Sequence, residues 1–351
     1  MRRRLVPVVA LAVALAVGLG GCSLVDEVAE GQRITSERLR VADSLRILVG
    51  ELEALDGVAS ASYTFDAVDL TSEPALEVQL VSIAADTWTA VGDAIDRAAL
   101  DEPLRDHPLG ATLRSDRLVS TFTTEERLDW LDDDTMADVQ RALELLPDAR
   151  VELSGYGESA FIVAAHPDAA ERLLDRITGD AELRAYLDGV DPRRLAVDLR
   201  APGLTVSGAV SAEVADWIRA ILDRDLPRPD FSDPDAPPAT EWVAVTVSGG
   251  AGDAVVSVEL VGSALGSGPA WDGLVDLLTA PVPEVNGPGA CVPLQVMYVW
   301  EGVQGSFPSF SSVCAGWVVS SGDPGRPSLV ELREALAASG IDPEALGYDL
   351  W

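Results

Sequence analysis

One theme recurs along this chain: two short runs of alternating apolar and polar residues, then a stretch with apolar residues three and four apart. A period of two marks a strand with one buried face, and a period near 3.6 marks a helix with one buried stripe. The run Val58 to Phe65 and the run Leu76 to Val81 lead into Thr87 to Ala99, where Trp88, Val91 and Ile95 share a face. Far downstream, Trp242 to Val247 and Val256 to Val261 lead into Ala270 to Thr279. The two helical stretches also share a spacing, Trp88-x-x-Val91-x-Asp93-x-Ile95 against Trp271-x-x-Leu274-x-Asp276-x-Leu278. Such a match reads as an internal repeat.

Similar units lie between these two. Arg150 to Ser154 and Ala160 to Ala164 precede a helix opened by Pro167, and Leu195 to Leu199 with Leu204 to Ser207 precede Ala212 to Asp225. Strand–strand–helix units laid end to end build antiparallel or mixed sheets with helices on one face. The expected class is therefore α+β, a set of two-layer sandwiches of the broad ferredoxin-like kind. A helix over Ser36 to Leu55 carries Val41, Leu45, Leu48, Leu52 and Leu55 on one stripe, suited to packing on the protein's own sheet. Thr123-x-x-Glu126 reads as a capping box opening a long helix to Leu146.

The N-terminus has a different character. Arg2, Arg3 and Arg4 precede an apolar run from Leu5 to Leu19 that is too short to span a bilayer, and small residues then lead to Cys22. This arrangement resembles a bacterial lipoprotein signal peptide, with Leu19-Gly20-Gly21-Cys22 in the place of the lipobox. The resemblance implies that Cys22 takes a diacylglyceryl group on its sulfur and becomes the first residue after cleavage. It implies a location on the outer face of the cytoplasmic membrane, with the lipid as the link to that membrane. The resemblance covers the signal alone.

The expected organisation follows: signal 1–21, tether 22–35, an N-terminal α+β region 36–226 with an optional subdivision near 148, and a C-terminal α+β domain 240–351. Between the last two, residues 227–239 hold five prolines from Pro227 to Pro238, with several acids and no apolar periodicity, and read as an extended linker. Without the three signal arginines the chain carries 22 basic and 58 acidic residues, 22 − 58 = −36. That field excludes general binding to nucleic acid and repels an anionic membrane surface, so the lipid must hold the chain there. Every basic side chain is arginine and none is lysine, as in a GC-rich, actinobacterium-like genome.

Candidate chemistry is sparse. With Cys22 given to the lipid, Cys291 and Cys314 form an even pair outside the membrane, and both sit in strand-like stretches that a hairpin near Gly302 would bring together. The expectation is a structural disulfide, since a redox pair usually shows Cys-x-x-Cys. The only histidines, His107 and His166, each precede proline and read as solvated boundary residues. Asp132-Asp133-Asp134 reads as part of a helix and lacks a calcium-loop pattern. Gly249-Gly250-Ala251-Gly252-Asp253 joins two strands, whereas a phosphate loop joins strand to helix. Neither cofactor nor metal is expected. Trp300, Phe307, Phe310 and Trp317 crowd the disulfide hairpin and are the candidate ligand or partner surface. The functional expectation is a non-enzymatic binding or structural module of the envelope. The alternatives are a transporter's solute-binding lipoprotein and an envelope hydrolase.

Overall fold

The computed structural model describes residues 30, 32–124, 131–156, 159–166, 169–191, 193–229, 240–249, 254–280, 291–300, 308–312, 317–320 and 327–349. By compactness the chain divides into two units, one through Met136 and one from Ala137. Both are α+β, built from tandem strand–strand–helix units, as the alternating periods require.

The first unit opens with α1, residues 32–53. Its stripe of Val41, Leu45, Leu48 and Leu52 is buried, while Leu55 lies past the helix end and is half-buried. β1 (Val58–Thr64) and β2 (Ala75–Leu80) pair antiparallel, and α2 (Ala85–Leu100) then carries the chain to β3 (Gly110–Arg114), parallel to β2. β4 (Leu118–Thr123) closes a second hairpin against β3. Only Ala61 of β1 is buried, as befits an edge strand.

One buried charge organises the first hairpin. Arg38 stands on the apolar stripe of α1, three residues before Val41, and is 7% exposed. Its guanidinium donates to the carbonyls of Asp66 (2.8 Å), Asp69 (2.6 Å), Ser72 (2.8 Å) and Ala67 (3.3 Å), all in the β1–β2 loop, and lies 4.5 Å from the centre of the Phe65 ring. Burying a cation is costly unless its donors are met, and here loop carbonyls and an aromatic face meet them. The loop also bonds within itself. The Val68 N–H donates to Asp66, the Thr71 N–H and hydroxyl donate to Asp69, and the Asp66 N–H donates to Ser72 Oγ. Those two Thr71 bonds hold the Asp69 carboxyl below its ordinary value.

α3 (Asp133–Leu145) starts later than the Thr123 capping box predicts. Thr123 ends β4, and the helix is capped instead by Asp132, whose carboxylate accepts from the Thr135 N–H at 2.7 Å. The three aspartates thus sit at a helix N-terminus, where backbone N–H groups and the helix dipole favour negative charge. Glu126 lies outside the described residues.

In the second unit β5 (Arg150–Tyr156) and β6 (Ser159–Ala165) form a hairpin. α4 (Ala170–Gly179) and α5 (Ala181–Gly189) lead to β7 (Leu195–Ala201), parallel to β6. β7 pairs antiparallel with β8 (Leu204–Ser207), and α6 (Ala212–Leu222) leads to β9 (Trp242–Ser248), parallel to β8. β9 pairs antiparallel with β10 (Val255–Gly262), and α7 (Pro269–Thr279) leads to β11 (Leu294–Trp300), parallel to β10. β12 (Ser309–Ser312) and β13 (Trp317–Ser320) continue antiparallel, and α8 (Pro327–Ala338) brings in β14 (Gly347–Asp349), parallel to β13. Strand order is sequence order throughout this sheet. Parallel crossovers of this kind are nearly always of one hand, so the helices gather on one face.

The pairing of β8 with β9 corrects the expected domain boundary. Both strands flank residues 227–239 yet share one ladder, and Pro227 and Pro229 accept from the Val243 and Gly203 N–H groups at 3.0 and 2.8 Å. The start of the proline-rich stretch is thus bound to the sheet. Residues 230–239 lie outside the description, as does Pro167.

Arginines join successive helices. Arg176 of α4 donates to the Leu145 carbonyl of α3, Arg219 of α6 meets Asp175 of α4 at 2.7 Å, and Arg224 meets Asp276 of α7 at 2.9 Å. Arg228, after α6, bonds Glu171 of α4 and the Leu222 carbonyl, each at 2.6 Å. The carboxylates of Asp175 and Asp276 are largely exposed, so each such pair contributes about 0–1 kcal/mol and serves mainly to fix helix against helix.

The segments 57–99 and 241–280 adopt the same order: hairpin, then a helix with its tryptophan buried, Trp88 at 0% and Trp271 at 1% exposure. Around Trp271 the packing is tight. Tyr298 meets it edge-on with centroids 5.4 Å apart, stacks on Trp300 at 5.8 Å, and donates to the Ala264 carbonyl at 2.7 Å. Burial, then the charges of Glu241 and Asp272, push the Tyr298 phenol up to about 12. A Cβ at Gly262 would fall 2.2 Å from that hydroxyl, so only glycine fits. Gly262→Ala should therefore cost about 2 kcal/mol through overpacking. Tyr298→Phe alone should cost about 1 kcal/mol for the lost hydrogen bond. Denaturant unfolding of the double variant should show a loss smaller than the sum, because the clashing oxygen is gone. Strict additivity would mean that the two groups do not compete for one space.

Candidate functional site

Alternation leaves each strand of the second unit with one face toward the helices and one toward solvent. On β7, β8, β9, β10 and β11 the covered positions are apolar, and the open positions form rows fixed by the register. Arg200 faces Thr205, Thr205 faces Thr246, Thr246 faces Ser257, Ser257 faces Gln295, and Gln295 faces Ser311. Beside that row run Ala244, Glu259, Met297 and Ser309, and beyond it Trp242, Val261 and Val299. Strand neighbours are about 4.8 Å apart, so the first row crosses roughly 24 Å of sheet.

A shallow open groove of about 460 Å³ lies on this face, lined by Arg200, Thr205, Thr246, Ser257, Glu259 and Gln295, among others. Gln295 donates to Ser309 Oγ at 2.9 Å, and Ser207 donates to Asp198, whose carboxylate is 3.7 Å from Arg200. The Arg200 Nε is buried with no hydrogen-bond partner among the described residues. Burial raises the Glu259 carboxyl above its ordinary value. Half-buried Trp242, Val261 and Val299 form an apolar margin beside these donors and acceptors. Hydroxyls, an amide, a guanidinium and one carboxylate beside an apolar border suit reversible recognition by hydrogen bonding.

The expected aromatic surface lies elsewhere. Trp300, Phe310 and Trp317 are at most 8% exposed. Phe310 lies across from Val296 and Val319, on the covered side of the sheet. Register decides this: all three occupy the phase that points toward the helices, so they are core and not surface. Phe307 lies outside the described residues. Cys291 forms an isolated bridge before β11 and is disulfide-bonded, while Cys314 and Cys22 lie outside the description.

The other motifs fall into place singly. His166 follows β6 and is 6% exposed, contrary to the solvated reading, and its backbone N–H donates to the Arg200 carbonyl of β7 at 2.8 Å. His107 belongs to the first unit, with Nε2 3.7 Å from Glu37. Gly249 follows β9 in the antiparallel β9–β10 connection, which agrees with a turn. Among the described residues no cluster of histidine, cysteine and carboxylate could hold a metal ion. Also among the described residues, no helix is long and apolar enough to cross a membrane.

The open face was missed in the sequence because its residues are ordinary strand serines and threonines. Their signal was the phase of alternation: Thr205, Thr246, Ser257 and Gln295 each sit between two buried apolar residues. Compared with known protein families, curated proteins and solved structures, the chain matches none. Fold and groove alone therefore define its class, an α+β protein with one helix-covered and one open sheet face.

Glu259→Gln tests the electrostatics. A carboxyl raised in the folded state opposes folding while ionised, and stability returns as pH falls from the folded value toward the unfolded one. The substitution should raise the melting temperature at neutral pH, by less than about 1 kcal/mol equivalent for a group that keeps half its water. The gain should shrink toward acid. An equal gain at all pH values would place its cause outside ionisation.

Proposed function

We propose that this protein is a lipid-anchored, non-enzymatic binding module of the bacterial envelope. Cys22 carries the lipid on the outer face of the cytoplasmic membrane, and the open face of β7–β11 takes the partner. The observation that carries the binding role is the groove itself: adjacent strands place Arg200, Thr246, Ser257, Glu259 and Gln295 on one uncovered surface. The lipobox-like Leu19-Gly20-Gly21-Cys22 supports the anchor, since two acyl chains hold a protein stably where one does not.

Two measurements in cells test these parts separately. A palmitate analogue should label the protein, and Cys22→Ser should lose the label and leave the membrane fraction. A photo-crosslinking residue at Thr246 should give a discrete adduct, while the same residue at exposed Val330 should give none. Absence of label removes the anchor, and absence of an adduct at position 246 removes the binding face.

The disulfide belongs to the same reading, with Cys314 as partner of Cys291. Leu294, three residues after Cys291, faces Ser312, two residues before Cys314. Titration of the unreduced mature protein should find no free thiol. Cys291→Ala should cost about 3 kcal/mol, the loop-closure term for a bridge of this span. Two reactive thiols in the folded protein would overturn the pairing.

A further inference from the structure

The β1–β2 loop presents two large apolar side chains to solvent at its tip, Val68 at 83% and Leu70 at 66% exposure. Isolated exposed apolar residues are common, but the loop that carries these is built to hold still. Three of its own side chains bond its backbone, and Arg38 donates to four of its carbonyls from beneath. Its two central carboxylates are turned to the loop's own donors: Asp66 accepts from the Val68 N–H, and Asp69 from Thr71. A rigid loop with its polar groups bonded inward and its apolar groups outward loses little conformational entropy on docking.

The location of the loop indicates its occupant. Arg38 lies six residues from residue 32, where the described helix begins, or about 9 Å along its axis. The loop is therefore fastened to α1 at the end from which residues 22–31 lead back to Cys22. Those ten residues span at most about 35 Å. β2 leaves the loop and ends beside Val81, about 20 Å further on, so loop and Val81 mark opposite ends of the first unit's hairpin.

We propose that Val68 and Leu70 insert shallowly into the bilayer that holds the Cys22 lipid, giving the protein a second membrane contact that sets the orientation of its first unit. The proposal rests on the lipid anchor of the preceding reading. The lipid supplies proximity, which turns two weak side-chain contacts into an intramolecular event. Without an anchor they are too few to hold the protein, and the strongly acidic chain is repelled by anionic lipid. The contact is thus with the neutral part of the surface.

The test uses phosphatidylcholine vesicles and two ways of anchoring the mature chain. In one the protein keeps its native acyl groups. In the other, Cys22→Ser carries a histidine tag before residue 22 and docks on a nickel-chelating lipid, so that the loop is tested whether or not the cell acylates Cys22. An environment-sensitive dye on Leu70→Cys should shift to the blue in both, and nitroxide lipids should quench it. The same dye on Val81→Cys should do neither. On nickel-chelating vesicles V68N/L70N should dissociate about tenfold faster than the parent, corresponding to partial burial of two side chains. An unshifted dye at position 70 on tag-anchored protein overturns the loop contact and leaves acylation to be judged by palmitate labelling alone. A shift that grows with protein density on the vesicle and ignores nitroxide lipid assigns the loop to a second copy of the chain, which also overturns the proposal.

Discussion

A strand that slips by one residue against its neighbour turns its apolar side chains to water and its polar ones into the core. In this protein that constraint acts on every ladder at once. Val197, Val206, Val247, Val256 and Leu294 lie on one side of the second unit's strands, under helices. Arg200, Thr205, Thr246, Ser257 and Gln295 lie on the other side. Each hairpin fixes one register, and each crossover helix carries the phase to the next hairpin. The open face is in this sense the complement of the core: what defines one defines the other.

The helices need their own alignment, because a crossover helix can slide on a sheet without breaking a ladder bond. Arginine supplies it. Arg176, Arg219, Arg224 and Arg228 reach from one helix to a carboxylate or carbonyl of another, and a planar guanidinium can serve two acceptors together. Arg228 does so with Glu171 and Leu222, and Arg224 with Asp276 and the Gly273 carbonyl. In a chain without lysine and with a large acidic excess, nearly every carboxylate competes for few cations. Four of those cations, Arg176, Arg219, Arg224 and Arg228, are placed between helices.

Local periodicity made much of the fold legible. Trp88 and Trp271 were placed on buried helix faces by spacing, and the paired strands before them by alternation. Long-range pairing was not legible, because nothing local in Leu204 to Ser207 announces that β9 will lie beside it after a proline-rich stretch. The same blindness turned Trp300, Phe310 and Trp317 into a surface when their phase makes them core. Thr123 looked like a cap, but it still belongs to β4, and Asp132 is nearer the first buried helical residue. Arg38 did leave a mark, as a charge at an apolar stripe position of α1. Such a residue marks a place where something polar must come from elsewhere in the chain.

That placement has a mechanical consequence. Under the anchor proposed above, a pull through the tether would load the chain at the start of α1. The first cross-braces it meets are the bonds from Arg38 to the Asp66, Asp69 and Ser72 carbonyls, which lie ahead of the hydrophobic contacts of Leu45, Leu48 and Leu52. Such tension would pass from the helix into the β1–β2 hairpin through these short polar links. Under such a load the guanidinium would act as a strain relief ahead of the apolar seam of α1.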